Sequence, residues 1–154
     1  MSRMDSIDRE ILRLIQQDGR LSYGDLGSEV GLSVSAVNER LKKLQAAGVL
    51  RGWVALVEPK AVGLDICAFI QVLVDRPANC GPFLAKMGEH PEILECHHVT
   101  GDFSYLLKVR ARDTSQLESI LSDVIKGVRG VVRTQTLIVL SSPKETTAVE
   151  VRAI

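Results

Sequence analysis

Apolar positions recur at helical spacing through the first third of the chain and change to a strand-like rhythm after it. Ile7, Ile11, Leu14 and Ile15 fall on one helical face, with Asp5 or Ser6 available as a cap and Asp18-Gly19 closing the segment. A short second helix is predicted from about Tyr23 to Val30, turning Leu26 and Val30 inward. Gly31 supplies the turn and Leu32 plugs the corner. Ser33 is the predicted N-cap of a third helix running to about Ala47, with Val37, Leu41 and Leu44 facing in and Gly48 ending it. The run from Val49 to Glu58 reads as β-like, carrying Leu50, Trp53, Val54 and Leu56; Pro59 and Gly63 then mark a linker.

The second part reads as alternating strands and helices. Strands are predicted at Ile66–Asp75, Ile93–Thr100, Ser104–Arg112 and Val131–Leu140. Helices fall at Pro82–His90 and Asp113–Lys126, the latter with a Ser115-x-x-Glu118 capping box. A last short strand is expected at Thr146–Val151. The order β-α-β-β-α-β is the split βαβ, or ferredoxin-like, arrangement. The expected fold class is therefore α+β, a helix-turn-helix unit over residues 1–60 and a ferredoxin-like unit over residues 61–154.

Length and charge narrow the functional classes. In 154 residues, 45% hydrophobic and 25% charged, 19 cations balance 19 anions, which excludes a globally basic nucleic-acid coat. No apolar run is long enough for a signal peptide core or a membrane span, so a soluble cytoplasmic protein is expected. Cys67, Cys80 and Cys96 form no C-x-x-C pair and are read as small buried hydrophobes. His97 and His98 are neighbours on a strand and point to opposite faces, so they cannot share an ion, and no metal site or cofactor is expected. No triad, phosphate loop or paired-carboxylate motif stands out, and no enzymatic activity is expected.

The strongest local signal lies between Tyr23 and Lys42. Gly27 lets two helices approach, Gly31 turns the chain, and Val37 and Leu41 anchor the following helix by its inner face, leaving the outer face for a major groove. The candidate DNA-contacting residues are Ser33, Ser35, Ala36, Asn38, Glu39, Arg40, Lys42 and Lys43. Small residues at the leading end allow close approach, Asn38 and Glu39 can read base edges, and Arg40, Lys42 and Lys43 can neutralise phosphate. From Asn38 to Arg51 four cations stand against one anion, a local excess in a neutral chain.

These residues carry a resemblance. Asp5-x-x-Asp8-x-x-Ile11-Leu12, Asp18-Gly19-Arg20-Leu21-Ser22, Gly31-Leu32-Ser33, Arg40-x-x-x-Leu44 and Gly48-Val49-Leu50 resemble the Lrp/AsnC, or feast/famine, transcription regulators. Val99-Thr100-Gly101-Asp102, Tyr105-Leu106-Leu107 and Thr134-x-Thr136-x-Ile138-Val139-Leu140 resemble the sensing domain of the same family. The resemblance implies a winged helix-turn-helix, a linker strand, and a ferredoxin-like domain that dimerises through its sheets, with dimers assembling further, often to an octamer. It also implies a small-molecule effector, usually an amino acid, on a site comprising Val99, Thr100, Gly101, Asp102, Ser104, Thr134 and Thr136. His98, beside that loop, is a candidate polar wall. Gly27 replaces a more usual alanine, and Ser104 stands where many members carry aspartate. Two other readings are a subunit resembling siroheme decarboxylase and an amino-acid sensor with a vestigial helix-turn-helix. The intact basic helix speaks against both.

Overall fold

A computed structural model describes residues 4–152; the outermost residues of the two expected ranges, 1–3 and 153–154, lie outside it. The chain divides into two compact units. One contains the residues up to Leu56 together with those from Lys144 onward, and the other is Val57–Pro143.

The first unit is built on three helices, α1 (Ser6–Gln17), α2 (Tyr23–Val30) and α3 (Val34–Ala46). Each begins where a side chain can replace the missing helical acceptor. Asp5 and Asp8 form a capping box on α1, Ser22 and Asp25 one on α2, and Ser33 accepts from the Ala36 amide at the start of α3. Ile11, Leu12, Ile15, Leu26, Val37, Leu41 and Leu44 close the core. The α2–α3 corner depends on Gly27. A Cβ there would stand 2.5 Å from the Leu32 carbonyl oxygen, and the Leu32 amide donates to Gly27 O at 2.8 Å.

Two expected strands are absent. Residues 51–58 are without regular structure, and a 3-10 turn, Lys60–Val62, follows them. Val54 is 83% exposed and Leu56 81%. Among the described residues the β-like run has no ladder partner, and a strand needs one. Thr146–Val151 forms no strand either. Its backbone is held by a side chain instead: Gln16 Nε2 donates to Val149 O at 3.0 Å, and the Val149 amide donates to Gln16 Oε1 at 2.8 Å.

The second unit is a four-stranded antiparallel sheet of β1 (Ile66–Val74), β2 (Ile93–His98), β3 (Tyr105–Ala111) and β4 (Val131–Ile138), in the order β2-β3-β1-β4. With helices α4 (Pro77–Gly88) and α5 (Thr114–Ser119), this is the ferredoxin-like βαββαβ fold. Alternation sends Ala68, Ile70, Val72, Leu107 and Val109 toward Phe83, Met87, Leu117, Ile120 and Ile125. The opposite face carries Phe69, Leu73, Leu106 and Leu137, and Leu137 is 48% exposed.

Several boundaries differ from expectation. Helix α4 starts at Pro77 rather than Pro82, because a proline in the first turn needs no amide acceptor. Asp113, not Ser115, caps α5, accepting from the Gln116 amide at 2.8 Å. Beyond Ser119 the helix continues as a π-helical stretch, Ile120–Ile125. Cys67 is buried, while Cys80 and Cys96 are half-buried against the sheet core. Among the described residues no helix is long and apolar enough to cross a membrane, and no cluster of three metal-ligating side chains occurs.

Candidate functional site

The outer face of α3 follows from its anchoring. With Val37, Leu41 and Leu44 buried, Ser35, Glu39, Lys42 and Lys43 are exposed, and Asn38 and Ala36 are half-buried along its flanks. Ser33 is exposed at the cap, and its hydroxyl lies 3.0 Å from that of Ser35. Lys42 and Lys43 enter no ion pair among the described residues. Val34 was not singled out by the sequence pattern, yet it is 55% exposed at the leading end of α3. An apolar side chain there suits contact with a thymine methyl. By spacing it falls in phase with Val37, Leu41 and Leu44, so nothing in the pattern marked it as exposed.

Arg40 does not share that face. Its Nη1 donates to Asp8 Oδ1 and to Asp5 Oδ2, both at 2.7 Å, and its side chain is 27% exposed. The hydrogen bonds to Asp8 and then Asp5 raise the guanidinium pKa further. Asp5 is pulled below its ordinary value, first by the Asp8 backbone amide and then by Arg40. Arg40 therefore ties α3 to the start of α1, and the outward cations of this region are Lys42, Lys43 and Arg51.

In the second unit the β2–β3 loop carries most of the expected effector residues. Val99 donates to Ser104 O at 3.0 Å and closes the loop, while the Ser104 amide donates to Val72 O at 2.9 Å. Thr100, Gly101 and Asp102 are exposed. Gly101 has φ +112°, a backbone state that side-chain-bearing residues rarely adopt. The Ser104 hydroxyl accepts from the Val74 amide at 3.3 Å, so it faces β1.

The antiparallel pairing brings this loop to the end of the sheet where β4 begins. Thr134 lies across from Val72 and Thr136 across from Ile70, which puts both on the helix-covered side at the sheet edge. His98 is on that side too, its ring centroid 5.2 Å from Tyr105. The Tyr105 phenol is pushed up to about 12, first by its hydrogen bond with Cys80 and then by burial. Arg133, which the sequence pattern did not mark, falls on the other side, opposite Leu73. Its Nη2 donates to Asp102 O at 3.3 Å, and its guanidinium carbon is 4.4 Å from the Phe103 ring centroid.

Residues 4–51 match the model of a winged helix-turn-helix DNA-binding domain, and residues 67–149 that of the Lrp/AsnC ligand-binding domain. The chain is 36% identical over 149 residues to the HTH-type transcriptional regulator FL11 of Pyrococcus abyssi, covering 97% of each chain. It is 35% identical over 144 residues to the leucine-responsive regulatory protein of Escherichia coli, covering 92% of this chain and 88% of that one. A crystal structure of a transcriptional regulator of Neisseria meningitidis in complex with L-methionine superposes with a TM-score of 0.90 at 34% identity, covering 94% and 95% of the two chains.

Proposed function

The chain belongs to the Lrp/AsnC family of DNA-binding transcription regulators, and from that premise we propose how its residues divide the work. Two protomers place their α3 helices in successive major grooves, about 34 Å apart. Ser33, Ser35 and Ala36 set the approach, Asn38 and Glu39 read base edges, and Lys42 and Lys43 hold phosphate. Arg40 acts from behind, fixing the angle of α3. The observation that carries this reading is the division on α3 itself: Arg40 is committed to two carboxylates within the chain, and the two neighbouring lysines are left outward.

The effector is an amino acid or a close relative, as the methionine complex of the Neisseria regulator suggests. It docks on Val99, Thr100, Gly101 and Asp102, with Ser104, Thr134, Thr136 and His98 around it. Residues 1–60 serve DNA and residues 61–154 serve effector binding and assembly, with the segment beyond Lys144 returning to the first unit. The helix-free sheet face with Phe69, Leu73, Leu106 and Leu137 pairs with the same face of a second copy, an isologous contact. Four such dimers form an octamer.

Genome-wide binding with and without candidate amino acids tests the whole reading. Discrete binding sites whose occupancy changes with one amino acid are expected. Absence of sequence-selective binding in both conditions would overturn it. Sedimentation of the full chain tests the assembly, with a dimer or a multiple of dimers expected and a monomer excluding it.

A further inference from the structure

The leading end of α3 holds one apolar side chain out to solvent. Val34 is the first residue of the helix and is 55% exposed. It stands in phase with Val37, Leu41 and Leu44, which are buried, yet it is not among the residues that close the helical core. The hydroxyls on either side of it are engaged within the chain. Ser33 Oγ accepts from the Ala36 amide at 3.3 Å, and it lies 3.0 Å from Ser35 Oγ, within hydrogen-bond distance. Ala36 offers only a methyl group. The start of α3 therefore presents apolar groups where its hydroxyls are already paired.

We propose that Val34 is a specificity-determining residue that packs against the C5 methyl group of a thymine, so that each half-site carries a T·A pair facing the start of α3. The proposal rests on the reading of α3 as the helix that reads base edges, and it names the apolar part of that readout. Residues at the N-terminal end of a recognition helix are the ones that reach base edges. In the major groove the thymine methyl is the apolar group among donors and acceptors, and valine has no hydrogen bond to offer the rest. Burying one methyl-sized group is worth about fourfold in affinity. The protomers of a symmetric dimer make the same contact twice, which raises this to about fifteenfold.

The probe is the duplex that the full wild-type chain enriches from a random-sequence library, remade with deoxyuridine at one symmetric pair of thymines at a time. Uracil keeps every hydrogen-bonding group of thymine and lacks only the methyl. Gel-shift titrations at one salt concentration compare wild type, Val34→Thr and Val34→Ser. Wild type should lose about fifteenfold at one thymine pair where Val34→Ser loses nothing, and Val34→Thr, with one methyl left, should fall between. All three should melt together, because Val34 lies outside the core. If every uracil duplex binds wild type undiminished, the proposal is overturned and the base-reading role of α3 stands. Val34→Ser with the full uracil sensitivity of wild type has the same meaning. A Val34→Ser chain that sediments as a smaller assembly but discriminates thymine from uracil as wild type does would place Val34 between copies, and overturns the proposal too. If the library yields no enriched duplex, the reading of α3 fails and the proposal falls with it.

Discussion

Arg40 on α3 donates to the Asp8 carboxylate on α1 at 2.7 Å. Asp8 also accepts from the Asp5 amide in the α1 capping box, and Asp5 accepts from Arg40 as well. One cation thus joins the recognition helix to the carboxylates that start the first helix. At 100° per residue, Arg40 stands about 60° around α3 from Val37, nearer the buried stripe than the outer face.

Arg40→Ala should therefore act through structure. Charge-assisted hydrogen bonds contribute about 1.5–3 kcal/mol, and partial exposure reduces this to about 1–2 kcal/mol. The thermal midpoint should fall and DNA affinity should drop, but the dependence of affinity on salt should keep its slope. A slope that shrinks by about 1 would show Arg40 on a phosphate after all.

Lys42→Ala and Lys43→Ala should do the reverse, leaving stability unchanged and weakening every DNA sequence alike. With Lys42, Lys43 and Arg51 outward on two protomers, the log–log salt slope should be about −5, from about 0.9 per phosphate neutralised. Asn38→Ala should instead cost about 1–3 kcal/mol on the preferred site and little elsewhere. Gel-shift titrations on preferred and scrambled duplexes separate the two behaviours.

The α1–α3 tie should be sensitive to acid. Asp5 has its pKa lowered below the ordinary 3.8, through the Asp8 amide first and Arg40 second. A carboxylate depressed in the folded state adds stability that is complete above its unfolded pKa and is lost as pH falls through the folded one. The helical unit should lose stability as pH falls below the ordinary carboxylate range, about 4, and Asp5→Asn should flatten that part of the profile. Identical profiles for the two proteins, followed by circular dichroism at 222 nm, roughly the helical minimum, would remove Asp5 from the account.

The helices were legible because their signals are local. Val37, Leu41 and Leu44 declare a face by spacing alone, and Ser33 declares its start. What failed to show depended on neighbours distant in sequence. The apolar run at Trp53–Val57 has the composition of a strand, but a strand is defined by its partner, and none lies among the described residues. Arg40 counted as an outer cation until Asp5 and Asp8, more than thirty residues away, were seen beside it. In β4 the Thr-x-Thr motif drew attention to Thr134 and Thr136, and the period of two then placed Arg133 on the other face, toward Phe103. Ser104 was read as a ligand group, and its second role, accepting from the Val74 amide thirty residues away, left no mark in the local pattern.

Gly101 and Ser104 separate loop shape from loop chemistry. Ser104→Ala removes the acceptor for the Val74 amide and should cost about 1 kcal/mol of stability. Gly101→Trp keeps an unfavourable φ of +112° and fills the open space, so it should abolish the effector response while the sheet still folds. Thermal melts with and without amino acid check both. A full response in Gly101→Trp would move the effector site away from this loop.

The tail makes the last prediction. Val149 offers its amide and carbonyl to the Gln16 side chain, which answers both as a backbone neighbour would, and Val151 packs against the helical core. The tail follows β4 in the chain and is fastened to α1 by these hydrogen bonds. Gln16→Ala leaves both Val149 groups to water and should cost about 1 kcal/mol in all, since each net hydrogen bond contributes about 0.5–1.5 and these are exposed. In a unit of roughly 60 residues that shifts the thermal midpoint by about 4–8 °C. Ending the chain after Pro143 should cost more, because it also uncovers the apolar surface beneath Val151. The order of effects is the test. A truncated chain that melts with the wild type would show that the tail rests on α1 without holding it.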